Sequence, residues 1–267
     1  MPNSTSWYKT ILVLAIVLQS TCLATSIFGD DKTPQEPETA AVVKVLFVGN
    51  SFTFWNGGLD RHLKILSDSM TPPLGYQTES VVKGGASLEV MWNRTKAVEK
   101  INKGKYDIVI LQEDIPETTV DSFKEYSKKF IELVRKSGAR PILFMAWDYE
   151  RLNWISMQEI IAAHLEVSKS LKVEVAPVGL AWSLSKKRQP ALNMYAKDAE
   201  HPSVPGMYLS LIVIEATISG KDPRSRAPKK LPIKNLETLN SEGRKFLRNV
   251  AKESILQWKK LLSKQKR

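Results

Sequence analysis

From Val42 onward, short apolar runs alternate with amphipathic stretches, and that alternation constrains the fold of this chain more than any other feature. Segments 43–48 (VKVLFV), 77–82, 107–111 (DIVIL), 141–145 (PILFM) and 173–175 read as strands. Between them, 59–69, 88–102, 122–136 and 156–171 carry the spacing of helices. Strands that are apolar throughout and separated by helices imply a parallel sheet covered on both faces. Ligands of such sheets bind at the carboxyl ends of the strands, so the loops after each strand are where chemistry is to be sought. No internal repeat is visible.

The chain has 267 residues, enough for one α/β domain with a sizeable core or two small ones, and 43% of them are hydrophobic. A single cysteine, Cys22, excludes a disulfide scaffold, and three histidines leave little for a metal cage. Residues 1–26 place Lys9 before a short apolar run and small polar residues after it, the pattern of a secretory signal peptide. Cleavage is expected after Ala24 or Ser26, which predicts an exported protein, periplasmic or extracellular; lipidation at Cys22 is the rival reading. Residues 27–41 are acidic and proline-bearing, and read as a flexible tether.

The net charge of +11 first suggests a polyanion partner, yet its distribution argues otherwise. Residues 221–267 hold fifteen Lys/Arg against four Asp/Glu, a balance of +11. Residues 1–41 balance at −2, which leaves +2 for 42–220. The sequence therefore divides into a nearly neutral domain, 42–220, and a basic segment, 221–267, ending in an amphipathic helix along which Leu247, Val250, Ala251, Ile255 and Trp258 share an arc. That helix reads as docked on the domain, with a membrane-surface helix as the alternative. No nucleic-acid partner is expected; contact with an anionic envelope through 221–267 is.

The loop after the first strand is Gly49-Asn50-Ser51-Phe52-Thr53-Phe54-Trp55-Asn56-Gly57-Gly58, directly before a helix. A serine there can present its hydroxyl beside a backbone N–H that stabilises an anion, or it can simply cap the helix. Near the other end, Asp198-Ala199-Glu200-His201-Pro202 sets an acid three residues before a histidine. Pro202 keeps His201 out of a helix, and Ser203 and Pro205 read as the cap and first turn of the next one. Asp-x-x-His can fix one ring nitrogen and leave the other free to take a proton from a hydroxyl. His62 and His164 fall inside helices and read as ordinary structural histidines.

These blocks, GNSFTFWNGG and DAEHPSVPGMYL, with Val82-Lys83-Gly84-Gly85-Ala86-Ser87 between them, resemble the SGNH hydrolases, the GDSL-type esterase superfamily. The resemblance spans about 43–220. It implies a flavodoxin-like three-layer α/β/α fold, a Ser51–Asp198–His201 triad and an oxyanion hole from the backbone N–H groups of Ser51 and Gly85. It also implies hydrolysis of acyl esters without a cofactor; no metal is expected, and export together with loop tryptophans would fit an O-acetyl ester on a polysaccharide as well as a small-molecule one. Asn50 stands where the family has Asp. The family's Gly-x-Asn-Asp block is replaced by Leu111-Gln112-Glu113-Asp114, which resembles a less-characterised branch; Gln112 either supplies the missing oxyanion donor or merely closes the strand. Trp55, Asn56 and Trp147, in loops at the same end, are candidates for contacting a sugar, with core packing as the alternative for the tryptophans. A glycan- or polyanion-binding protein on the same fold, without catalysis, is the competing functional reading.

Overall fold

A computed structural model describes residues 41–264. The expected signal peptide, Cys22 and all but the last residue of the tether lie outside the described residues. The elements run β1 Val43–Gly49, α1 Ser51–Phe54, α2 Leu59–Ser69, β2 Tyr76–Val82, α3 Leu88–Arg94, α4 Ala97–Lys103 and β3 Ile108–Gln112. They continue α5 Val120–Lys136, β4 Arg140–Phe144, α6 Met157–Leu171, β5 Glu174–Ala176, α7 Val178–Arg188, α8 Val204–Ser219 and α9 Ser241–Lys264. The five strands form one parallel sheet in the order β2-β1-β3-β4-β5.

Position in the sheet explains the strand sequences. Central β1, β3 and β4 are buried on both faces and nearly all apolar, whereas edge strand β2 carries Gln77, Thr78, Glu79 and Ser80. Alternate side chains of β1 feed separate cores: Val45 and Phe47 pack with α2 and α8, and Leu46 and Val48 with α3, α5 and α6. The result is the expected α/β/α sandwich.

Helix ends follow local chemistry. Ser156 and Glu159 close a capping box on α6, and Thr119 caps α5 by accepting from Ser122 N. The single helix expected over 88–102 is two. Thr95 takes an extended backbone, its Oγ1 donates to Met91 O at 2.6 Å and accepts from Ala97 N at 3.1 Å, and the chain restarts as α4.

The basic segment is part of the domain rather than an appendage. Leu247, Val250 and Ala251 of α9 enter one core, and Trp258 enters the other. Ahead of α9, Arg226 reaches back to Glu215, a fully buried acid in the middle of α8, with Nε–Oε1 at 2.8 Å. α9 is docked through its apolar side chains, so described residues on either side of 220 share both cores.

Candidate active site

β1 delivers the chain into a turn with no room to spare: a Cβ on Gly49 would lie 2.6 Å from Gln112 Oε1. Asn50 caps α1, its Oδ1 accepting from Phe52 N at 3.0 Å. Ser51 is therefore the first helical residue and is not the cap, which leaves its hydroxyl uncommitted to that task.

The floor beneath this turn is the Leu111–Asp114 run, and all its polar groups are buried. Gln112 Oε1 accepts from Asn50 N at 2.8 Å and from Thr53 Oγ1 at 3.2 Å, while Nε2 donates to Glu113 O at 2.9 Å. With no exposed surface and both amide ends engaged, Gln112 clamps the turn, a placement that does not suit the expected oxyanion donor. Glu113 accepts from Leu88 N, at the start of α3, at 3.1 Å and from Asp114 N at 2.8 Å. Asp114 accepts from Asn50 Nδ2 at 2.8 Å and from the Tyr149 hydroxyl. Among the described residues neither acid has an ion-pair partner. Burial pushes the Glu113 carboxyl up to about 7 and that of Asp114 to about 6, against the N–H and O–H donors that favour their ionised forms.

Through Glu113 the floor also anchors the loop of Gly84 and Gly85. Lys83 N donates to Gly49 O at 3.1 Å, which sets this loop against the Ser51 turn. Gly85 adopts φ +61°, a conformation suited to glycine, and the space where its side chain would be is open.

The second half of the site hangs from the N-terminus of α8, which Ser203 caps by accepting from Gly206 N. Asp198 Oδ1 accepts from Glu200 N at 3.1 Å and His201 N at 2.9 Å, and its Oδ2 lies 2.9 Å from His201 Nδ1. Desolvation opposes ionisation of Asp198, but these hydrogen bonds outweigh it and hold the carboxyl below its ordinary range. Ala199, at φ +58°, closes the loop, and Glu150 N binds its carbonyl.

The two halves meet at the imidazole. Trp55 stacks on His201 with centroids 3.9 Å apart, and Phe52 meets it edge-on at 5.7 Å. Asn56 Nδ2 donates to Pro202 O at 2.6 Å. Residues that follow Ser51 thus touch the Asp198–His201 loop, which brings the serine turn and the histidine loop to one locale at the carboxyl end of the sheet.

Trp147 departs from expectation. It is fully buried, sandwiched between Phe52 at 4.6 Å and Trp182 at 3.7 Å, and its Nε1 donates to Glu200 O at 2.9 Å. It supports the site from below and cannot stack on a sugar. Trp55 is half-buried and Asn56 exposed. Trp154, in the same loop as Trp147, is 66% exposed, with its Nε1 bonded to Pro116 O.

Sequence reasoning also passed over Glu200 and Arg151. Arg151 bridges Glu200 and Glu117, and Glu200 Oε1 lies 3.9 Å from His201 Nε2. Three charges arriving from three separate loops leave no local pattern to read. His62 and His164 are buried in α2 and α6, as expected of structural histidines; burial lowers both, His164 to about 4. Among the described residues no cluster of three His, Cys, Asp or Glu suits a metal ion, and no helix is long and apolar enough to cross a membrane.

Sheet order and layers define a three-layer α/β/α fold. No family model and no curated protein matches the chain. Among solved structures, a DUF4886 family protein from Bacteroides uniformis superposes with TM-score 0.63 at 16% identity, over 81% of this chain and 95% of that one. An acetylxylan esterase from Geobacillus stearothermophilus gives 0.57 at 16% identity, over 68% and 96%. A protein from Slackia heliotrinireducens described as an SGNH hydrolase gives 0.55 at 20%, over 67% and 100%. At these identities the likeness is one of fold.

Proposed function

We infer that this protein is a serine esterase. The observation that carries the reading is the contact of Phe52 and Trp55, the neighbours of Ser51, with the ring of a histidine whose Nδ1 is held by Asp198. Ser51 Oγ attacks the ester carbonyl carbon while His201 Nε2 takes the hydroxyl proton. Asp198 keeps the Nδ1 proton in place and offsets the charge on the imidazolium. The oxyanion accepts from the backbone N–H groups of Ser51 and Gly85. Collapse expels the alcohol, which carries off the proton from His201 and leaves an acyl-Ser51. Water then gives a proton to His201, attacks the acyl carbon and releases the carboxylic acid, returning Ser51 to its hydroxyl form.

The site's aromatic rim favours an O-acetyl or other short acyl ester on a carbohydrate. Half-buried Trp55 and exposed Asn56 and Trp154 are available to a sugar, and one structural neighbour is an acetylxylan esterase. The signal-like pattern of residues 1–26 supports export of this activity. The test is hydrolysis of a short-chain aryl ester by the purified protein beside Ser51→Ala. The variant is expected to lose about 10^4-fold or more in kcat with its circular dichroism unchanged. Equal rates would remove Ser51 as nucleophile, and glycan affinity without turnover in the parent would favour the binding-protein reading.

A further inference from the structure

Three cations of the basic segment are held in ion pairs, and four others share one cavity. Arg224 and Lys252 pair with Asp222, and Arg226 pairs with Glu215. By contrast Lys229, Lys230, Arg244 and Arg248 have no carboxylate within ion-pair distance among the described residues, and all four line one cavity of about 430 Å3. A single acid, Glu237, shares that lining.

The cavity is built rather than incidental. Its lining includes Tyr208 of α8, only 1% exposed, whose hydroxyl accepts from Arg248 Nη1 at 2.9 Å and so keeps its own proton to donate. Burial raises that phenol, which keeps it protonated. Arg244 Nη1 donates to Leu239 O at 2.5 Å, which fixes its guanidinium in advance of any ligand. Leu231, Pro228 and Pro232 supply apolar wall.

We propose that this cavity binds carboxylate groups of an acidic polysaccharide, uronate units of the polymer whose ester is hydrolysed at Ser51; the final clause rests on the esterase reading. Two planar guanidinium forks and a phenol suit a planar carboxylate, and the apolar wall accepts the face of a sugar ring. A concave site with converging donors fits a discrete group better than a flat membrane surface. Tyr208 lies five residues beyond Ser203, about 7.5 Å along α8. The cavity and the His201 loop are thus both tied to the first two turns of α8.

The experiment is calorimetric titration of the purified full chain with oligogalacturonate at low salt. The expected result is binding that weakens about tenfold or more in the Lys229→Glu/Lys230→Glu double variant, whose exposed side chains support nothing in the fold. Arg248→Met is expected to weaken it too. Lys259→Glu/Lys260→Glu, the same charge change on the exposed face of α9, should bind like the parent. All variants should keep the parent's aryl-ester rate, and the two lysine double variants its melting temperature as well; Arg248→Met, which leaves the buried Tyr208 hydroxyl without its donor, is expected to melt lower. No binding by the parent, equal weakening by the α9 variant, or binding of tripolyphosphate but not of oligogalacturonate would overturn the proposal. Intact binding with no ester hydrolysis by the parent would refute the esterase reading and leave the cavity's ligand standing.

Discussion

Two sets of buried carboxylates sit in different parts of this molecule, and they are stabilised in opposite ways. Glu215, inside α8, has a guanidinium at 2.8 Å and the Tyr76 hydroxyl at 3.4 Å. Glu113 and Asp114, under the Ser51 turn, have only N–H and O–H donors. The first arrangement is an ion pair that binds a loop to a helix. The second leaves two acids that give up their protons well above the ordinary carboxylate range, each joined to a segment the proposed chemistry needs: Asp114 to the Asn50 turn, Glu113 to the loop bearing Gly85. A shared residue type thus serves cohesion in one place and positioning in the other.

Three measurements test that distinction. The largest effect is expected at Arg226→Ala, which strands the Glu215 charge: stability should fall by about 3–5 kcal/mol, read by denaturant titration. Ester hydrolysis, assayed well below the melting transition, should be nearly unchanged; a tenfold loss of kcat at full stability would erase the contrast. Asp114→Ala should cost about 1–3 kcal/mol, because Asn50 Nδ2 and the Tyr149 hydroxyl lose their acceptor. Its signature is a drop in kcat larger than any change in KM, and an unaltered kcat would show that Asp114 does no positioning.

The smallest effect is a slope. Glu113 and Asp114 hold protons in the fold up to about pH 7 and 6, above the ordinary carboxylate values they return to on unfolding. Between those limits the native state binds more protons, so the stability they contribute is full at low pH and is lost as pH rises toward 7. Melting temperature should therefore decline from pH 5 to pH 8, and Glu113→Gln should flatten the decline. An equally steep decline in the variant would assign the slope elsewhere.

The fold was legible because its signals are local. The continuous apolar runs of β1, β3 and β4 mark a doubly covered sheet, and α2 begins and ends where its periodicity does. α7 escaped notice because Val178–Trp182 are buried all round, leaving no polar stripe to betray a helix. Ser51, Asp198 and His201 stood out through turn chemistry and spacing. Trp147 and Gln112 could be placed only with the tertiary structure, since a loop tryptophan between Phe52 and Trp182 looks like any other loop tryptophan. Gln112 likewise reads as a free donor until Asn50 N and Glu113 O are seen to occupy it.

α9 carries a practical consequence. Its apolar side chains reach the cores on both faces of the sheet, and Arg226, on the approach to it, neutralises an acid in the middle of α8. A protein cut at 220, where the recognisable motifs stop, would keep every proposed catalytic residue and lose a wall of each layer. The smallest piece that folds is longer than the piece that bears the motifs, so expression boundaries for this chain belong after Lys264.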